Sequence, residues 1–245
     1  MENARKARLT DLRRILAEAE GFGKPGTAVL PFGLRPIDDA LPWGGLPLAA
    51  LHEVESAGAA SEDGAAAAFL AGILARLTPA RPVLWCVQRA DLHVLGLALA
   101  GLAASRLLLV RAPTEREILW AMEEGLRSRA LAAVVGEVET LSTPASRRLQ
   151  LAAEASGITG FVLHRRGETA AASAAVTRWR VAALPSVPVA GEPGIGRPLW
   201  RVELLRCRGG MPAAWNVEAG DETGHVALSA ALADRPAFRQ FRAAG

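Results

Sequence analysis

Between residues 51 and 164 the chain repeats one rhythm: a short apolar run, then a longer stretch with apolar positions at helical spacing. Residues 51–54 read as a strand, and the runs at 82–87 (PVLWCV), 106–110, 131–135 and 160–164 (GFVLH) are near-continuously apolar, as strands buried on both faces must be. Between them, residues 65–77, 92–104, 114–128 and 146–156 predict helices, the first stopped by TPARP and the third carrying a polar face. Strands alternating with helices predict an α/β fold, with a mostly parallel sheet covered by helices on both faces. After residue 164 the rhythm changes. Residues 177–182 (TRWRVA), 199–206 (LWRVELLR) and 214–218 read as antiparallel strands, with Gly209 and Gly210 at the turn of a C-terminal hairpin. Residues 187–198 (VPVAGEPGIGRP) read as loop.

The two ends read differently from the middle. Leu9, Leu12, Ile15 and Leu16 lie at helical spacing among charges, which predicts an amphipathic helix that docks on the core or self-associates. GFGKPG (21–26) then breaks the helix as a linker. The expected organisation is an N-terminal helix and linker over 1–26, a core over 27–220 and a basic, aromatic tail over 221–245. In the tail Phe238 and Phe241 stand three apart, beside Arg239 and Arg242, so one helical turn would place both rings on one face. Such a segment is a docking peptide for a partner or a frayed end.

Composition narrows the class. With 245 residues, 51% of them hydrophobic, the chain can bury a sizeable core. No apolar run approaches the roughly 20 residues of a membrane span, and the charged start lacks the apolar stretch of a secretory signal, so a soluble cytoplasmic protein is expected. Cys86 and Cys207 make no metal-like cluster and read as buried thiols. The net charge of +3 permits nucleic-acid contact without demanding it. Lysine occurs only at Lys6 and Lys24. Arg165 and Arg166 open a short segment after the 160–164 strand, and Arg178 and Arg180 flank Trp179. Arginine beside an aromatic suits contact with single-stranded DNA or a partner, and equally an exposed strand edge over a core tryptophan. The four histidines lack metal-ligand spacing; His52 and His164 fall within or at the ends of predicted strands. Trp43, Trp85, Trp120, Trp179, Trp200 and Trp215 read as packing residues.

Three stretches carry a resemblance: LRPIDDAL (34–41) followed by GGLP (44–47) and a strand ending at Glu53 and Val54; AAVV (132–135) after a helix; and WRVELLR (200–206) with Gly209, Gly210 and Trp215. Their order over residues 27–220 resembles the RecA-type recombinase core, and within it the ImuA subgroup, also described as SulA-like. The recombinase site needs G-x-x-x-x-G-K-[ST], whose backbone N–H groups wrap phosphates while its lysine neutralises them. Counted without gaps from Glu53, the last glycine becomes Ser61, the lysine Glu62 and the hydroxyl residue Asp63. Gly136 is expected where that family places its magnesium-associated aspartate, and Gln88 where it places its water-activating glutamate, an amide that takes up no proton. Glu137 and Glu139 stand nearby, as metal ligands or as paired acids.

The resemblance therefore implies no ATPase activity and no cofactor. It implies an accessory protein of SOS-induced error-prone translesion synthesis. The partner would be an ImuB-like Y-family polymerase homologue, with an error-prone replicative-type polymerase, RecA and single-stranded DNA as further expectations, together with homo-oligomerisation. A DNA-binding RecA paralogue with residual nucleotide binding and a SulA-type cell-division inhibitor are the alternatives.

Overall fold

The computed structural model describes residues 28–58, 60–78, 80–165, 172–186 and 196–229. Strands β1 (Val29–Leu30) and β2 (Leu46–Pro47) pair antiparallel around one helical turn, α1 (Arg35–Asp38). Asp38 closes this excursion by accepting the backbone N–H groups of Phe32 and Gly33. Then follow β3 (Leu51–Ser56), α2 (Ala60–Ala75), β4 (Val83–Val87), α3 (Val94–Leu99), β5 (Leu107–Arg111), α4 (Glu115–Arg127), β6 (Ala133–Val138), α5 (Thr143–Ser156) and β7 (Thr159–His164). The chain continues through β8 (Thr177–Leu184), β9 (Leu199–Cys207), β10 (Ala213–Glu218) and β11 (Ala227–Leu228).

Strands β3 to β11 form one sheet, in the order β11-β10-β9-β8-β3-β7-β6-β4-β5. From β8 to β5 every pairing is parallel; from β8 to β11 every pairing is antiparallel. Strand β8, expected as antiparallel, is therefore the junction: parallel to β3 and antiparallel to β9. Residues 221–229, assigned by the sequence to the tail, carry β11 and a loop that packs on the helical layer. A Cβ on Gly224 would stand 2.4 Å from the Gly72 carbonyl oxygen, so only glycine allows the loop to lie this close to α2.

The helix expected over 92–104 is shorter. It stops at Leu99 and resumes as a 3-10 turn at Ala104–Arg106. Gly101 sits at φ +96°, and a Cβ there would meet the Gly224 nitrogen at 2.8 Å, so the same closing loop interrupts the helix. Helix α4 begins with a capping box between Thr114 and Glu117, and α5 ends at Gly157 in the left-handed conformation.

Two apolar clusters flank the sheet. On one face Phe69, Leu70 and Leu74 of α2 pack with Val54, Trp85, Val135 and Trp179. On the other, Ile118, Met122 and Leu126 of α4 and Leu149 of α5 pack with Leu51, Cys86, Val134 and Val162. Five of the tryptophans are buried or half-buried, as a packing role requires. Trp120 is not: it is 65% exposed on the outside of α4, which corrects its reading as a packing residue.

A polar thread crosses the first cluster. The indole N–H of Trp179 donates to Thr177 Oγ1 (2.8 Å), which lies 2.8 Å from His52 Nδ1. His52 Nε2 lies 2.8 Å from the Pro47 carbonyl oxygen, which only accepts, so Nε2 carries the proton and Nδ1 accepts from the threonine. The imidazole is neutral, and complete burial lowers its pKa from 6.5 to about 4. The unfolded chain then takes up this proton first, and stability falls as pH drops from 6.5 towards 4. The term is about 3 kcal/mol when complete. Urea unfolding at pH 7 and at about pH 4.5, near the lower end of this range, reads it: the loss shrinks in His52→Gln, and an equal loss in both proteins rules out His52 as its source.

Candidate functional site

The carboxyl ends of the parallel strands converge on a cavity of about 180 Å³, bounded by Ser56, Asp63, Ala67, Leu97, Glu137 and Arg165 among others. Open α/β sheets place their ligands at this end. Ser56 closes β3 and donates its hydroxyl to Asp63 Oδ1 (2.8 Å) in the first turn of α2, where Glu62 also stands. The side chain of Ser61 lies outside what the structure describes.

Arg165 follows β7 directly, and its guanidinium is shared among three carboxylates. Nη1 and Nη2 grip the two oxygens of Asp91 at 2.6 and 2.9 Å, Nη1 also reaches Glu137 at 3.2 Å, and Nε faces Asp63 Oδ2 at 3.4 Å. The indole of Trp85 donates to the other Glu137 oxygen (2.8 Å). Its bonds to Asp91 hold the Arg165 pKa above the usual arginine value, and the same bonds hold Asp91 below the usual carboxylate range. Glu137 is raised by burial, against the Trp85 and Arg165 bonds that favour its ionised form. Three carboxylates thus surround one cation, so the local charge is negative. A phosphate brought here meets acids on α2, on β6 and on the β4–α3 connection.

The register corrects one expectation. Position 136 does not face this cavity. A Cβ on Gly136 would stand 2.1 Å from Met122 Sδ and 3.1 Å from a methyl of Ile118, both on α4 across the sheet. Alternation places Glu137, not position 136, on the α2 side, because β6 runs on to Val138 rather than ending at Val135. A carboxylate therefore remains on the cavity side of this strand. Gly136→Ala is expected to cost about 1–3 kcal/mol by overpacking against Met122. A thermal melt that did not move would show that Met122 simply swings aside.

The remaining predicted positions are distributed as follows. Gln88 sits at the rim and its amide donates to the Pro113 carbonyl (2.9 Å). Glu139 pairs loosely with Arg89 at 3.9 Å, while its backbone N–H is held by Glu115. Arg178 and Arg180 bond Glu53 and Glu55 of β3 at 2.5 and 2.7 Å. Burial opposes ionisation of Glu53, but neighbouring His164, Ser173 and Arg178 bring its pKa down to about 2. His164 Nε2 stands 3.7 Å from Glu53, too far for a hydrogen bond, so its influence is electrostatic. Leu9, Leu12, Ile15, Leu16, Arg166, Phe238, Arg239, Phe241 and Arg242 lie outside the described residues. Sequence reasoning missed Asp91 as the main partner of Arg165; an acid in the turn after an apolar strand was the available signal. Among the described residues no three His, Cys, Asp or Glu side chains are placed to hold a metal ion, and no helix is long and apolar enough to cross a membrane.

Sheet order, strand polarity and cavity position define a RecA-like α/β protein. Among solved structures the RadB recombinase shares this fold, with a TM-score of 0.57 over 82% of this chain and 99% of that one at 15% identity. The chain belongs to the ImuA family: it is 45% identical over 211 residues to Protein ImuA of Caulobacter vibrioides strain NA1000 / CB15N, covering 81% of this chain and 86% of that protein. The same protein from strain ATCC 19089 / CIP 103742 / CB 15 matches equally. No family model matches the chain.

Proposed function

We propose that this protein is a non-catalytic accessory factor of damage-induced, error-prone DNA synthesis, acting by binding a Y-family polymerase-like partner of the ImuB type. Membership of the ImuA family supports the process. One observation carries the non-catalytic part: Arg165 is already paired with Asp91, Glu137 and Asp63 at the place where a nucleoside triphosphate would need free cations. The residues present do not fit a magnesium–triphosphate group. Acids occupy the first turn of α2, and their charge opposes a further anion at this helix N-terminus.

A second reading, nucleotide binding without turnover, draws on Glu137, which presents a carboxylate to the cavity. That carboxylate is held by Trp85 and Arg165. DNA contact through Arg165, Arg178 or Arg180 requires each to leave a carboxylate first, so partner binding ranks ahead of it.

Calorimetry with millimolar ATP and magnesium, followed by co-purification with the polymerase-like partner, tests the proposal. Expected are no heat of nucleotide binding and a stable complex at micromolar protein. Saturable ATP binding removes the first half; separate elution of the two proteins removes the second.

A further inference from the structure

The nucleotide-site region binds its own side chains, so the surface that meets a partner has to be found elsewhere. The outer face of the helical layer offers one. Helices α4 and α5 lie side by side over the sheet, and an open groove of about 430 Å³ runs between their C-terminal halves. Its α5 wall is low, because Ala152, Ala155 and Ser156 are small. Leu151 stands in the same groove 63% exposed, and Trp120 projects from α4 one turn before Glu123 and Glu124.

Charge selects the occupant. Arg127, Arg129 and Arg148 line the groove against a single acid, Glu123. Glu123 is shared between Arg127 (2.7 Å) and Arg148 (3.8 Å), and Arg127 also takes Glu124 at 2.7 Å. Among the described residues Arg129 has no acidic partner. The groove is thus cationic, with an exposed leucine among its lining residues and an exposed indole one turn back along α4.

We propose that this groove is the docking surface for an acidic, amphipathic helical segment of the partner protein. A third helix laid over a parallel helix pair sends an apolar side chain against Leu151 and Ala155, where the small residues let the backbones approach. Its acids face Arg129 and Arg148, and one of its apolar positions covers Trp120. Exposed tryptophan and arginine around a small-residue floor are the side chains that dominate binding energies when covered. Helix α4 is prepared for this load. Its capping box fixes the N-terminus, and Glu115 ties it to the β6–α5 connection through Thr140, so little ordering is left to the moment of binding.

This inference rests on the polymerase-like partner being the protein bound, and its test separates the two. The full chain and three variants, Arg129→Glu, Leu151→Asp and Trp120→Ala, are titrated with the purified partner, after melting curves show that the variants remain folded. Each substitution is on the surface, where effects on folding are small. Expected are at least tenfold weaker binding for Arg129→Glu and Leu151→Asp, and affinity that declines with added salt for the native protein but less steeply for Arg129→Glu. Bound partner also shields Trp120 from acrylamide quenching, a protection absent in Trp120→Ala. If the native protein binds and all three variants bind as tightly, the groove is not the docking surface while the accessory function stands. If the native protein does not bind at all, the accessory reading itself falls, and the groove assignment with it.

Discussion

Trp179→Ala is expected to cost about 4 kcal/mol of stability, the largest loss of any single replacement argued for this chain, because a fully buried indole is lost into a site that cannot collapse. Trp179 is the hub of an aromatic cluster. Its ring centroid lies 5.3 Å from Phe32, 6.0 Å from Phe69 and 6.3 Å from Trp215, joining the N-terminal excursion, helix α2 and strand β10. It also stands on the junction strand β8, where the parallel and antiparallel halves of the sheet meet. A melting temperature lowered by about 10 °C is the expected readout. A shift of only a degree or two would mean that the two halves are held together by the strand ladder alone.

Arg165→Ala is expected to cost about 2–3 kcal/mol near neutral pH, since it strands the buried Glu137 carboxylate beside Asp63 and Asp91. The pH dependence distinguishes this cause from lost packing. Burial already raises the Glu137 pKa, and removing the guanidinium takes away an influence that lowers it, so the shift grows in the variant. A carboxyl whose folded pKa exceeds its unfolded value takes up its proton first in the folded state. Stability of the variant therefore recovers as pH falls through the folded value towards the unfolded one. Urea denaturation at pH 7 and pH 5 (two points above the unfolded glutamate value) should show a smaller deficit at the lower pH, and adding Glu137→Gln should abolish the difference. A deficit independent of pH would place the loss in the arginine's contacts rather than in uncompensated charge.

The fold was legible because its strands are buried on both faces: PVLWCV and GFVLH cannot be amphipathic helices and are too apolar for a solvated edge. What sequence alone misread lies in tertiary geometry. Strand β8 alternates tryptophan and arginine, the mark of a strand with one polar face; nothing local says that β3 lies parallel beside it, 125 positions earlier. The side of the sheet to which position 136 points depends on where β6 ends, and one misplaced strand boundary exchanged Gly136 for Glu137. Arg165 was visible as a cation after a strand, but the acids that claim it come from three separate elements. Trp120 read as a packing residue because large aromatics are mostly buried, whereas the orientation of a helix is fixed by which of its faces meets the sheet.

The central position of β3 has a consequence for synthesis of the chain. Its two neighbours, β7 and β8, begin at Thr159 and Thr177, more than a hundred residues downstream. At ribosomal speeds β3 waits on the order of 5–20 s before either edge is covered. A run of β-branched apolar residues left bare that long pairs with other nascent chains. Strand β3 instead reads LHEVES, and the sheet partners of His52, Glu53 and Glu55, which are Thr177, Arg178 and Arg180, arrive only with β8. The ion pairs inside the finished sheet are thus the trace of a strand that has to stay soluble until its neighbours arrive.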